Sequence, residues 1–178
     1  RAVMAMAGEG KSADEILRFI ANASKSPFNR QIAHLLRRTG ANPAVSLGGD
    51  MGGGAGFRFL AKYSRKNHEV TLSQGAADRA EQIFLHETVH AATLLALDRG
   101  GEYADQMQRL YESVKRQGGA AGQYGMKNVG EFVAEAFTNK EFQAALKGMK
   151  APGGTFWGRF VALVRRVLGL SDQSQDAL

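Results

Sequence analysis

A chain of 178 residues with 44% apolar and 22% charged side chains is long enough for one domain with a substantial core, and its composition is that of an ordinary globular protein. It has no cysteine, which excludes a disulfide framework and any thiolate-held metal, so a metal bound here must rest on His, Asp or Glu. The formal charge of +6 is scattered apart from pairs such as Arg37-Arg38 and Arg165-Arg166, and it reads as a solvated basic surface with no dedicated nucleic-acid site.

No apolar run reaches the about 20 residues of a membrane span. The opening RAVMAMAGEGK lacks the apolar stretch of a secretory signal. Because the chain opens on Arg, it is expected to be a piece or a processed product of a longer polypeptide.

The first predicted helix is ADEILRFIANAS, capped by Ser12, with Asp14 and Glu15 suited to the positive first turn. Ser26-Pro27 opens a second, PFNRQIAHLLRRTG, which Gly40 stops. Residues 1–47 are thus expected to be a helical lead-in. Residues 48–56 carry six glycines in nine positions, a loop or hinge. A phosphate-cradling loop would need a lysine and a helix directly behind the glycines, whereas a strand-like run, FRFLAKYS, follows. That run, the turn Arg65-Lys66-Asn67 and HEVTLS read as a β-hairpin.

A long helix is predicted from about Ala76 to Asp98, closed by Gly100-Gly101. The next, EYADQMQRLYESVKRQ, ends at Gly118-Gly119, and the loop AAGQYGMK leads into NVGEFVAEAFTNKEFQAALKG, read as one helix. Pro152-Gly153-Gly154 separates a final helix over residues 155–170, followed by a polar tail over 171–178. On the final helix Phe156, Trp157, Phe160, Val161, Val164, Val167 and Leu168 share one face opposite Arg159, Arg165 and Arg166. Such a helix can lie on a membrane, but packing its apolar stripe on a core is the plainer expectation.

The chemistry concentrates in His86-Glu87-Thr88-Val89-His90, an H-E-x-x-H pattern on the long helix. Residues four apart stack on one helical face, so both imidazoles aim at a common spot with nitrogens able to bind zinc at about 2.0–2.1 Å. Glu87 lies beside that face, where a carboxylate can reach a metal-activated water without being a ligand. The plainer alternative is a pair of core histidines bonded to backbone, but the glutamate between them would then need its own partner.

A catalytic zinc requires a third protein ligand. The metzincin continuation needs Gly at 93 and His at 96, where this chain has Thr93 and Ala96. His34 and His68 stand at no recognised spacing, and Asp98 lies two turns beyond His90, too far to reach back. Glu102 and the pair Glu131/Glu135 remain. The pair sits four apart among Phe132, Val133 and Phe137, where a dication would offset the repulsion of two carboxylates.

HETVH followed by GEFVAEAF resembles the gluzincin metallopeptidases, in which a glutamate from a later helix completes the zinc site. Within them it is most similar to catalytic domains of the anthrax lethal factor type, over about residues 57–147. There an E-F-x-A-E-A-F helix follows a Tyr-Gly pair seven residues before the ligand glutamate, matched here by Tyr124-Gly125.

The resemblance implies zinc held by His86, His90 and Glu131, with Glu87 as general base. Tyr124 would steady the transition state, and Glu135 would stand behind His86. It implies an α+β, zincin-like fold with a small antiparallel sheet, an active-site helix and a mostly helical second half, its core spanning residues 57–150. The expected activity is zinc-dependent cleavage of a protein or peptide substrate, with HEVTLS pairing with the extended substrate backbone. Related domains occur in toxins and in phage and mobile-element polyproteins. The implied setting is a secreted effector or virion-associated protein, with self-cleavage of a parent polyprotein as one use. The competing expectations are a catalytically inactive zincin-like binding domain and a basic nucleic-acid-binding domain.

Overall fold

The computed structural model describes residues 1–49, 51–52 and 58–167, and is α+β and mostly helical. Most of the glycine-rich loop, Leu168 and the polar tail therefore lie outside the described residues. The chain divides into two compact units, Arg1–Ala92 and Thr93–Leu178.

The first unit opens with a helix not expected from the sequence, α1 (Ala2–Gly8). Helix α2 (Ala13–Ala23) begins at a capping box. The Ser12 hydroxyl accepts from the Glu15 N–H, while the Glu15 carboxylate accepts from the Ser12 N–H. Helix α3 (Pro27–Thr39) starts at the Ser26 cap with Pro27 in its first turn and ends at Gly40, whose left-handed φ of 71° suits glycine. Ile16, Leu17, Ile20, Ile32 and Leu36 bury the facing sides of α2 and α3.

The sheet is mixed, where an antiparallel one was expected. Strand β1 (Ala44–Gly48) runs parallel to β5 (Glu69–Ser73), and β4 (Ala61–Ser64) runs antiparallel to it, in the order β1-β5-β4. A short antiparallel pair, β2 (Met51–Gly52) with β3 (Arg58–Phe59), precedes β4. The expected strand FRFLAKYS is thus split at Leu60, whose carbonyl accepts from the Ser73 N–H. Along β5 the period of two is plain. Val70 and Leu72 are buried, while Glu69 and Thr71 face the other way, where Ser46 donates to Glu69.

The central place of β5 corrects one expectation. Its backbone groups are committed to β1 on one side and β4 on the other, so HEVTLS has no open edge to offer an extended substrate.

Residues Gln74–Arg79 wind as a 3-10 helix before α4 (Ala80–Asp98), so the long helix starts later than its sequence pattern implies. Ser24 and Asn29, at the α2–α3 connection, both donate to Glu81 and fix the start of α4.

In the second unit, α5 (Glu102–Gln117) ends at Gly118, again left-handed with φ 71°. A 3-10 turn at Tyr124–Met126 leads to α6 (Val129–Thr138) and α7 (Lys140–Gly148). The sequence reads these two as one helix, but Asn139 breaks it. Its extended backbone ends α6, and its side-chain oxygen accepts from the N–H groups of Glu141 and Phe142 to start α7. A minimal hairpin, β6 (Lys150–Ala151) with β7 (Gly154–Thr155), leads to α8 (Phe156–Val167). Phe156, Phe160 and Val164 of α8 are buried, so this part of its apolar stripe packs inward. The core is an aromatic cluster in which Phe132 meets Phe142, Phe160 and Tyr111 edge to face at 5.6, 5.9 and 5.7 Å. Among the described residues no helix is long and apolar enough to cross a membrane.

Candidate metal centre

Helix α4 carries apolar residues around most of its circumference, and its middle, from Phe84 to Ala91, is largely buried. Phe84, Leu85 and Val89 are fully enclosed, and the buried Thr88 satisfies its hydroxyl by donating to the Phe84 carbonyl at 2.7 Å. His86 and His90 stand one turn apart on this rigid rod, their rings 4.9 Å between centroids and inclined at 78°. His90 is buried, and His86 and Glu87 are half-buried.

The carboxylate comes from α6. Glu131 occupies the third position of that helix, and its N–H donates to the side chain of Asn128, the cap residue, at 2.9 Å. A place in the first turn, where unpaired amide groups face outward, suits a negatively charged side chain.

The ligand atoms of His86, His90 and Glu131 all lie within 4.8 Å of one another, a group that can hold a metal ion. Zinc takes such nitrogen and oxygen ligands at about 2.0–2.2 Å. Two imidazoles and one carboxylate form a borderline nitrogen–oxygen donor set suited to zinc and its first-row neighbours.

Tyr124 is exposed, and its hydroxyl donates to Glu131 Oε1 at 3.2 Å. The turn that carries Tyr124 is held from behind, because the Tyr111 hydroxyl donates to the Met126 carbonyl at 2.9 Å. Glu135, one turn below Glu131, accepts from Asn139 Nδ2 at 2.6 Å through Oε2. Glu102 is exposed at the start of α5 and accepts from Gln106 Nε2 at 2.8 Å. His68 is engaged elsewhere, its Nδ1 2.8 Å from the Tyr63 hydroxyl.

No protein-family model, curated protein or solved structure matches the chain.

Asn128 and Gly125 also shape this site. Asn128 caps the ligand-bearing helix, a role its spacing of three before Glu131 makes readable. Gly125 lets the Tyr124 turn press against α6 and α7, for a Cβ there would lie 2.8 Å from the Phe142 ring and 3.0 Å from Glu135 Cβ. Nothing in the local sequence signals that close approach.

Proposed function

We propose that the chain is a zinc-dependent metalloendopeptidase, with residues 57–150 as its core and the lead-in over residues 1–47 contributing β1 to the sheet. The observation that carries this reading is the convergence of His86, His90 and Glu131, with Glu87 directly after the first histidine on the same rigid helix. A purely structural metal site would have no use for a further carboxylate there.

When bound, zinc supplies Lewis acidity, lowering the pKa of a water to about 7 and polarising a peptide carbonyl. Glu87 accepts the proton of the attacking water and passes it to the leaving amine, which completes hydrolysis with no net proton change. The Tyr124 hydroxyl, adjacent to Glu131, donates a hydrogen bond to the oxygen on which negative charge develops. In this reading Glu135, which accepts from Asn139, has the role of orienting a ligand histidine. The substrate is a protein or peptide. The resemblance to toxin and phage-polyprotein peptidases suggests a domain of a larger effector or virion protein that can cleave its own parent chain.

The test is metal analysis of the purified chain together with cleavage of fluorescein-labelled casein. About one zinc per chain and measurable cleavage are expected. Glu87→Gln should keep the zinc and lose about 10²-fold or more in turnover, while Glu131→Ala should lose the metal. A chain that binds no zinc, or a Glu87→Gln variant as active as the parent, refutes the proposal. Zinc binding without cleavage would instead identify an inactive zincin-like domain.

A further inference from the structure

A second concave site lies between α5 and α8, on residues the proposed peptidase chemistry does not use. The cavity, about 400 Å³, is lined by Gln106, Arg109, Leu110 and Ser113 from α5 and by Arg159, Ala162, Leu163 and Arg166 from α8. Each helix contributes positions i, i+3, i+4 and i+7, the row that one helical face presents along a groove.

Three of these side chains are guanidiniums, and no carboxylate lines the groove. Of the acids of α5, Glu102 accepts from Gln106 and Glu112 accepts from Gln108. Among the described residues, Arg109, Arg159 and Arg166 form no ion pair with any carboxylate. Three like charges around one cavity repel one another, and an anion between them removes that repulsion.

We propose that this groove binds a small phosphorylated molecule. Arg159 and Arg166 stand two turns apart on α8, about 10 Å along the axis, with Arg109 on the facing helix. A phosphate offers several oxygens and up to two charges, enough to accept from more than one guanidinium fork, whereas a carboxylate offers two oxygens and one charge. The volume falls within the about 300–1,000 Å³ typical of small-molecule sites. Leu110, Ala162 and Leu163 are the apolar part of the lining, Leu110 and Leu163 being buried, and they give the organic part of the ligand a surface to cover. Arg166 is held over the Tyr103 ring at 6.0 Å, so one of the three forks is partly positioned before any ligand arrives.

The experiment is calorimetric titration of the whole chain with 1-naphthyl phosphate, which joins a phosphomonoester to a flat apolar body. Saturable sub-millimolar binding is expected, weakened about five- to tenfold in each of Arg109→Ala and Arg159→Ala. Both arginines are exposed, so folding should survive, and unchanged circular dichroism would verify it. Lys66→Ala, which removes a charge from an exposed turn elsewhere, should leave affinity unchanged. Any of these results would overturn the proposal: equal binding of uncharged 1-naphthol, full affinity in both arginine variants, an equal loss in Lys66→Ala, or no saturable binding. A single-stranded oligonucleotide that binds more tightly through the same arginines would also overturn it, in favour of nucleic acid.

Discussion

Replacing Gly125 by alanine tests whether the Tyr124 turn is held as tightly against α6 and α7 as the geometry says. The added Cβ would stand 2.8 and 3.0 Å from Cζ and Cε1 of Phe142 and 3.0 Å from Cβ of Glu135. Ordinary carbon contacts are about 3.5–4.0 Å, so about 0.7 Å of displacement is needed. Neither neighbour can yield easily. Phe142 is fully buried with its ring 5.6 Å from that of Phe132, and Glu135 Cβ is fixed to the α6 backbone. The 3-10 turn must therefore move, against the Tyr111–Met126 hydrogen bond that holds it.

Overpacking of this kind costs about 1–3 kcal/mol. At about 2–4 °C per kcal/mol for a chain of this length, the melting temperature should fall by about 2–12 °C. The displaced turn should also carry the Tyr124 hydroxyl away from Glu131, so casein cleavage should fall further than stability explains. Gly148→Ala is the matched control. Nothing lies within 4 Å of a Cβ there and φ is not positive, so stability should be unchanged or rise by up to about 1 kcal/mol. A Gly125→Ala variant melting within about 1 °C of the parent would refute the claim of close packing.

Tyr124→Phe should retain zinc and the melting temperature while turnover falls by about 10-fold or more, and unchanged turnover would remove the tyrosine from the mechanism. Phe132→Ala empties the centre of the aromatic cluster and should cost about 3–5 kcal/mol by chemical denaturation, whereas a loss under about 1 kcal/mol would mean the cluster is not the core. The carboxyl of Asp14 is held below the ordinary aspartate range, chiefly by its hydrogen bond from Arg37 and further by Arg18, against a smaller opposing effect of burial. An acid depressed in the folded state stabilises above its unfolded pKa, and the contribution disappears as pH falls through the folded value. Asp14→Asn should therefore be less stable than the parent near about pH 7, by no more than about 1 kcal/mol for so exposed a pair, and the gap should close on acidification. A gap that stays constant with pH would show that charge is not its source.

Much of the fold and half of the site are legible in the sequence because their causes are local. Ser12 with Glu15, Ser26-Pro27, Gly40 and Gly118 act within a single turn, and each sets a helix end where its residue type predicts. The pairing of His86 with His90 follows from helical period alone. The break at Asn139 is also local, but a continuous apolar pattern from Phe132 to Leu146 masks it, and only the cap geometry resolves two helices.

What the tertiary structure decides involves residues far apart along the chain. Ala44–Gly48 carries little strand signal of its own and becomes a strand by lying in register with Glu69–Ser73, which makes the sheet mixed and closes the edge of β5. From residue types, Glu102, Glu131 and Glu135 are equally fit to complete a metal set. Of these, Glu131 is the one whose carboxylate oxygen lies within 4.8 Å of the ligand nitrogens of His86 and His90. Periodicity and capping reach about one helical turn, whereas the meeting of side chains from separate elements depends on how whole elements pack.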